Sequence, residues 1–252
     1  MFSLRRFTMR RITVFAVVAA LSAGAVALLL FRPNQSHPVV NVVKAKLTGP
    51  FTVEQRMDQY GAGVAQRIAP AFAAAGVDYP PHELSFVAFK DARVLDLYAR
   101  NATADAWRFV KRYPVLAASG QPGPKLREGD KQVPEGIYRA ELLNPNSRFH
   151  LSIRVNYPNA YDRRMALKDG RSNLGGDIMI HGGAVSIGCL AMGDAAAEDL
   201  FVLTALATPA RTRIVISPTD FRRTLPRTKP AGWRGDLYGK LQSELQQYPV
   251  GG

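Results

Sequence analysis

His181 and Cys189 are the two residues whose types and spacing suggest chemistry. Cys189 is the only cysteine of the 252-residue chain, and the histidine stands eight residues before it in Ile178-Met-Ile-His181-Gly182-Gly183-Ala-Val-Ser186-Ile-Gly188-Cys189. A thiol becomes a strong nucleophile at neutral pH when a base or cation lies beside it. Three apolar residues run into His181, which reads as the end of a buried strand. The glycines then free the backbone to turn sharply and to approach a ligand closely. Backbone N–H groups at such a turn, here those of Gly188 and Cys189, are candidates for holding a developing oxyanion. Residue types alone leave a structural alternative open, since a lone cysteine among apolar neighbours is often a small buried hydrophobe.

The elements that must position this pair follow from the rest of the chain. Leu84–Phe89 and Val94–Tyr98 flank Lys90-Asp91-Ala92-Arg93, the pattern of a β-hairpin. Trp107–Lys111, Val115–Ala118, Phe149–Val155 and Arg211–Ile216 read as further strands. Val53–Gly76 reads as helical, with Val64, Ile68 and Phe72 on one face; Gly61, Gly63 and Pro70 interrupt it, so two short helices are an alternative to one. After the cysteine, Asp194 is placed to cap a helix reaching about Ala207 with Leu200, Leu203 and Leu206 on its apolar face. Asp236–Tyr248 reads as a terminal helix behind a basic, proline-containing stretch.

The N-terminus has a different character. Arg5, Arg6, Arg10 and Arg11 precede an uncharged run from Ile12 to Phe31, about enough to cross a bilayer. The arginine cluster predicts a cytoplasmic N-terminus and an exported remainder. The apolar run continues past Ala25-Val26-Ala27, which favours an uncleaved inner-membrane anchor over a cleaved signal peptide. The divisions expected are 1–32 for anchor or signal, 33–50 for a linker, 51–82 for a helical lead-in, 83–222 for a catalytic domain and 223–252 for a basic tail with a short helix. The formal charge is +13, of which five arginines in residues 1–32 supply five, leaving about +8 for the exported part. Such a balance suits an anionic polymer or lipid surface, and no nucleic-acid motif is present. One cysteine excludes an internal disulfide, and an unpaired thiol in an oxidising compartment hints at use.

The order His-Gly followed by Ser-x-Gly-Cys resembles the active-site motif of the L,D-transpeptidases, the YkuD-type catalytic domain of bacterial cell-wall enzymes. Gly123–Asp130, Pro134–Tyr138, Asn144–Ser147, Asn156–Asp162 and Ser217–Arg222 look like its YafK-like branch, so that the resemblance covers roughly residues 50–222. It implies a mainly β fold with peripheral helices, of α+β class: a β-sandwich behind an N-terminal transmembrane helix. It implies Cys189 as nucleophile, His181 as general base, and the carbonyl of Gly182 as the group that orients the base. It implies peptidoglycan stem peptides as donors, a thioester intermediate, and no metal or organic cofactor. Ser186 and Gly183 become candidate substrate contacts.

Three departures bear on specificity. Many members of the family have a longer stretch between the His-Gly and the cysteine than the eight residues here, which implies a reduced lid or acceptor side. Many members of the family carry histidine where Ile187 stands and arginine where Ala191 stands, so another cation must meet the donor; Lys125, Arg127 and Arg171 are the candidates. The same chemistry with water as acceptor gives a hydrolase of peptide or peptidoglycan–lipoprotein links, and a silent peptidoglycan-binding module is a further alternative. His150 is read as structural.

Overall fold

The computed structural model describes residues 50–224 and 231–251; the expected membrane segment and most of the linker lie outside them. Among the described residues no helix is long and apolar enough to cross a membrane.

Helix α1, Val53–Ala75, runs unbroken through Gly61, Gly63 and Pro70. Thr52 caps it by accepting from the Gln55 N–H, while the Gln55 side chain returns to the Thr52 N–H. The left-handed Gly76, at φ 67°, ends it. The interruptions do not split it because Val64, Ile68 and Phe72 are all fully buried along one stripe, and packing of that stripe outweighs local propensity.

Nine strands follow: β1 Glu83–Phe89, β2 Val94–Arg100, β3 Arg108–Pro114, β4 Ala117–Ala118, β5 Gly136–Ser147, β6 His150–Val155, β7 Met179–His181, β8 Leu190–Ala191 and β9 Thr212–Ser217. The expected hairpin is β1–β2. The strands form one sheet in the order β3-β2-β1-β9-β5-β6-β7-β8-β4 rather than two separate leaves. The long β5 is the reason: residues 136–139 pair with β9, and from Ala140 onward it pairs with β6. The sheet must also curl, because its two edge strands, β3 and β4, are consecutive in the chain. The two residues between them bond to both ends of the sheet, the Val115 N–H to the Arg93 carbonyl and the Leu116 N–H to the Ala191 carbonyl.

Both faces of β1, β2 and β9 are buried, so these strands are apolar almost throughout. Leu84, Phe86, Leu95, Leu97, Ile214 and Ile216 join α1 in the larger core. Helix α3, Asp194–Ala207, covers the same core with Leu200 and Leu203, whereas Leu206 is exposed. Val87, Phe89, Tyr98 and Val215 point the other way and are covered by helix α4, Trp233–Leu245, through Leu237, Leu241 and Leu245. The C-terminal segment therefore closes a second core. His150 is indeed structural: its Nε2 lies 3.0 Å from the Glu198 carboxylate, and its ring meets Tyr60 edge-on.

The short helix α2, Ala160–Lys168, carries Asp162 in its first turn. Burial raises the Asp162 carboxyl from 3.8 to about 6, although it accepts from the Asn159 N–H and the Tyr138 hydroxyl. Native Asp162 therefore keeps its proton to a higher pH than the unfolded chain does. Its contribution to stability is present below about pH 4 and is lost as pH rises through about 6. Asp162→Asn, whose amide oxygen still accepts from Asn159, is expected to remove a fall in stability of about 2 kcal/mol between pH 4 and 7. Urea melts of both proteins across that range check it.

Candidate active site

Strands β7 and β8 are parallel neighbours, with Ile180 opposite Leu190 and His181 opposite Ala191. Parallel strands usually need a crossover of a dozen or more residues; here residues 182–189 suffice because both strands are very short. Continuing that register by one residue puts Cys189 level with Met179. Alternate residues of a strand share a face, so Cys189 and His181 lie on one face of the sheet, one strand over and two positions along. The spacing in the sequence thus becomes proximity through strand register. Ile180 and Leu190, one position off, point into the core and are almost completely buried.

His181 is itself buried, and the Phe149 ring stacks on it at 4.9 Å between centroids. Its Nδ1 lies 2.6 Å from the Gly182 carbonyl oxygen. A carbonyl only accepts, so Nδ1 carries the proton and Nε2 presents its lone pair. Burial lowers the imidazole pKa below 6.5, opposed by the Gly182 bond. The ring is neutral and ready to accept a proton at pH 7. Burial also raises the Cys189 thiol, partly offset by the Met179 N–H that points at Sγ from 3.4 Å. The resting pair is therefore a thiol and a neutral imidazole.

The turn between them is held from three directions. A Cβ on Gly182 would stand 2.5 Å from Asp194 Oδ1 and 2.7 Å from the Phe149 carbonyl oxygen, so only glycine fits there. Gly183, at φ 70°, donates its N–H to Asp194 Oδ1 at 2.9 Å and accepts from the Gly193 N–H at 2.8 Å. Asp194 is thus the first residue of α3 and not its cap, which is Gly193; its carboxylate is spent on the turn. The Ser186 hydroxyl donates to the Cys189 carbonyl at 2.6 Å and accepts from the Cys189 N–H at 3.0 Å, making it a strut inside the turn.

The expected pair of oxyanion donors is not free in this conformation. The Cys189 N–H is taken by Ser186, and the Gly188 N–H donates to the Ser119 hydroxyl at 2.6 Å. Ser119 in turn donates to the Lys131 carbonyl at 2.8 Å. Sequence reasoning missed Ser119, which lies 69 residues from Gly188 with no local signal to join them. It also missed Phe149, Met179 and the structural use of Asp194.

Three cations were candidates for donor recognition. Lys125 is buried; its Nζ reaches Asp130 Oδ1 at 2.6 Å and the Arg127 carbonyl at 2.9 Å, and its charge is felt at the Cys189 thiol. The Arg127 backbone N–H bonds Asp130, while its side chain is exposed. Arg171 is tied to Asp169 and to the Leu126 carbonyl, which makes it a brace for the loop. Of the three, Lys125 is the one that acts electrostatically on the thiol. Ala191 is fully buried opposite His181 and supplies no charge there. Lys125→Met leaves Asp130 partly buried without its partner and is expected to cost about 3 kcal/mol in stability. Denaturant unfolding against the unaltered protein measures this. Among the described residues no group of three or more His, Cys, Asp or Glu side chains is arranged to hold a metal.

The matched family model is the L,D-transpeptidase catalytic domain, YkuD, over residues 86–216. The chain belongs to that family. It is 35% identical over 139 residues to YafK of Escherichia coli K12, a protein provisionally described as an L,D-transpeptidase. The match covers 54% of this chain and 53% of YafK, so the chain spans about half the length of that curated relative. Among solved structures, the helical cell shape determining protein Pgp2 of Campylobacter jejuni overlays at TM-score 0.43 and 13% identity, covering 71% of this chain and 77% of Pgp2. L,D-transpeptidase 1 of Mycobacterium tuberculosis overlays at TM-score 0.31 and 16% identity, covering 54% and 62%.

Proposed function

We propose that this chain is a cysteine acyltransferase of peptidoglycan stem peptides. The observation that carries the reading is the 2.6 Å contact from His181 Nδ1 to the Gly182 carbonyl, which leaves Nε2 as a base on the face that bears Cys189. In the first half-reaction His181 takes the thiol proton as Sγ attacks the carbonyl carbon of the donor's third residue. The C–N bond to the terminal residue then breaks, and the amine leaves with the proton held by the imidazole. A Cys189 thioester remains. In the second half an amine acceptor gives up a proton to His181 and attacks the thioester, restoring the thiol and forming a new amide.

For an oxyanion to use the Gly188 N–H, the Ser119 hydroxyl must yield its bond. Ser119 sits on a separate segment after β4, whereas Ser186 belongs to the turn itself. Lys125, paired with Asp130, supplies buried positive charge that favours the Cys189 thiolate.

A second reading, hydrolysis, has its own support. The connector between base and nucleophile is only residues 182–188, and Val185 and Ile187 on it are 59% and 77% exposed. So short a connector leaves the thioester open to water, which would make the enzyme a hydrolase of peptidoglycan–peptide or peptidoglycan–lipoprotein links. In either case the location we propose is the periplasmic side of the inner membrane, with residues 12–31 as the anchor. Defined muropeptides decide between the two: 3–3 cross-linked dimers with loss of the terminal D-residue indicate transfer, and release of lysine or arginine from tripeptide conjugates without dimers indicates hydrolysis. Folded protein that gives neither product contradicts both.

A further inference from the structure

Asp177 is one of five non-glycine residues in the described chain with positive φ, at 54°, and it lies two residues before β7. Its side chain is 80% exposed and reaches Arg154 Nη2 at 2.9 Å, so burial of the carboxylate does not explain the backbone conformation. The backbone has a different neighbour. The Asp177 carbonyl oxygen accepts from the Cys189 thiol at 3.7 Å, and two residues on, the Met179 N–H donates to the same sulfur at 3.4 Å. We propose that Asp177 is a positioning residue for the nucleophile: its left-handed turn aims one carbonyl and, through β7, one N–H at Cys189 Sγ, forming a backbone cradle that parks the thiol. The carbonyl accepts the S–H of the resting thiol, and the N–H favours the thiolate once the proton has gone to the imidazole. The inference deepens the proposed function, since it rests on Cys189 being the nucleophile.

Several charges face this sulfur. Lys125, held by Asp130, lies across from it on the 119–135 loop, and its charge favours the thiolate. The Asp177 carboxylate opposes the thiolate. Arg154 on β6 partly compensates Asp177 and is shared with Glu141 on β5. His181 on β7 is neutral near pH 7. Asp177 therefore acts in two separable ways, by backbone geometry and by side-chain charge.

Three variants of the full chain separate them. Asn and Gly tolerate the left-handed region, while a β-branched residue does not. Asp177→Asn and Asp177→Gly keep the cradle and remove the charge. Asp177→Val removes the charge and strains the turn. The readout is the rate of Cys189 alkylation by iodoacetamide from pH 6 to 10, followed by mass spectrometry, beside acylation by a carbapenem. At low ionic strength Asp177→Asn and Asp177→Gly are expected to alkylate about two to three times faster at pH 7, with the pH profile moved to lower pH. The gain is expected to shrink in 0.5 M salt, because an exposed charge is screened over about 3–10 Å. Folded Asp177→Val is expected to lose about tenfold in carbapenem acylation, because a small misplacement of reacting groups costs that much. Alkylation by Asn and Gly variants no faster than wild type would overturn the charge role. Acylation by folded Asp177→Val equal to that of Asp177→Asn would overturn the cradle, and if the Val protein does not fold, Asp177→Ala takes its place in that comparison. Alkylation and carbapenem acylation both proceed without a stem peptide, so a wild type that acylates no stem peptide would refute the proposed function and still leave this test readable.

Discussion

Cys189→Ala is expected to keep its fold and lose every covalent adduct and every turnover product, a fall of at least about 10⁴-fold in rate. The fold should survive because Cys189 is only partly buried and its Sγ makes backbone contacts alone, to Met179 and Asp177. The chemistry should not survive, because this is the chain's single thiol, and the hydroxyl opposite His181, that of Ser152 on β6, is buried away from substrate. Circular dichroism and intact mass after carbapenem treatment check both halves. An adduct on the alanine protein would move the nucleophile elsewhere.

His181→Ala is expected to lower acylation by about 10³-fold at pH 7, and its signature lies in the pH profile. Burial holds the imidazole pKa below 6.5, so the wild-type acid limb should fall at a pH below the ordinary histidine value. Above that limb the base is neutral and active; below it the ring carries a proton and cannot accept another. The variant should lose this limb and show a rate rising only with thiolate formation. Because burial raises the thiol, that rise is expected above the usual cysteine range near pH 9. Initial rates of carbapenem acylation from pH 5 to 10 test it. A variant that retained the acid limb would assign the limb to another group.

How much of this was legible in the sequence depends on how local each feature is. The His181-Gly182 and Ser186-x-Gly188-Cys189 order was readable because the turn is built from its own residues, and the structure places these residues on one turn. The contacts that come from distant chain were not. Ser119 meets Gly188 across the β4–β8 pairing, and Phe149 reaches His181 from the turn before β6. The choice among Lys125, Arg127 and Arg171 turned on where the fold places each charge; charge in a sequence does not show that Arg171 is bound to Asp169 or that the Lys125 charge is felt at Cys189. The helix over 53–75 was legible by its apolar stripe, yet its continuity past Pro70 was settled by burial of Ile68 and Phe72. The single curled sheet followed from pairing of β5 with two different partners, which alternation along one strand cannot reveal. The C-terminal stretch looked like a basic tail because its leucines are spaced among glutamines and lysines; only the two-sided burial of β1, β2 and β9 shows what they cover.

The most direct measurement is a product analysis of the full chain, in detergent or nanodiscs, with defined peptidoglycan tetrapeptides and tripeptide conjugates, beside Cys189→Ala. Intact-protein mass spectrometry during turnover would look for the acyl-enzyme. The account predicts an adduct equal to the donor minus its terminal residue, on Cys189, labile to hydroxylamine and missing from the alanine protein. Folded wild-type protein that consumes these substrates with no thioester, or that is unaffected by loss of Cys189, would contradict it.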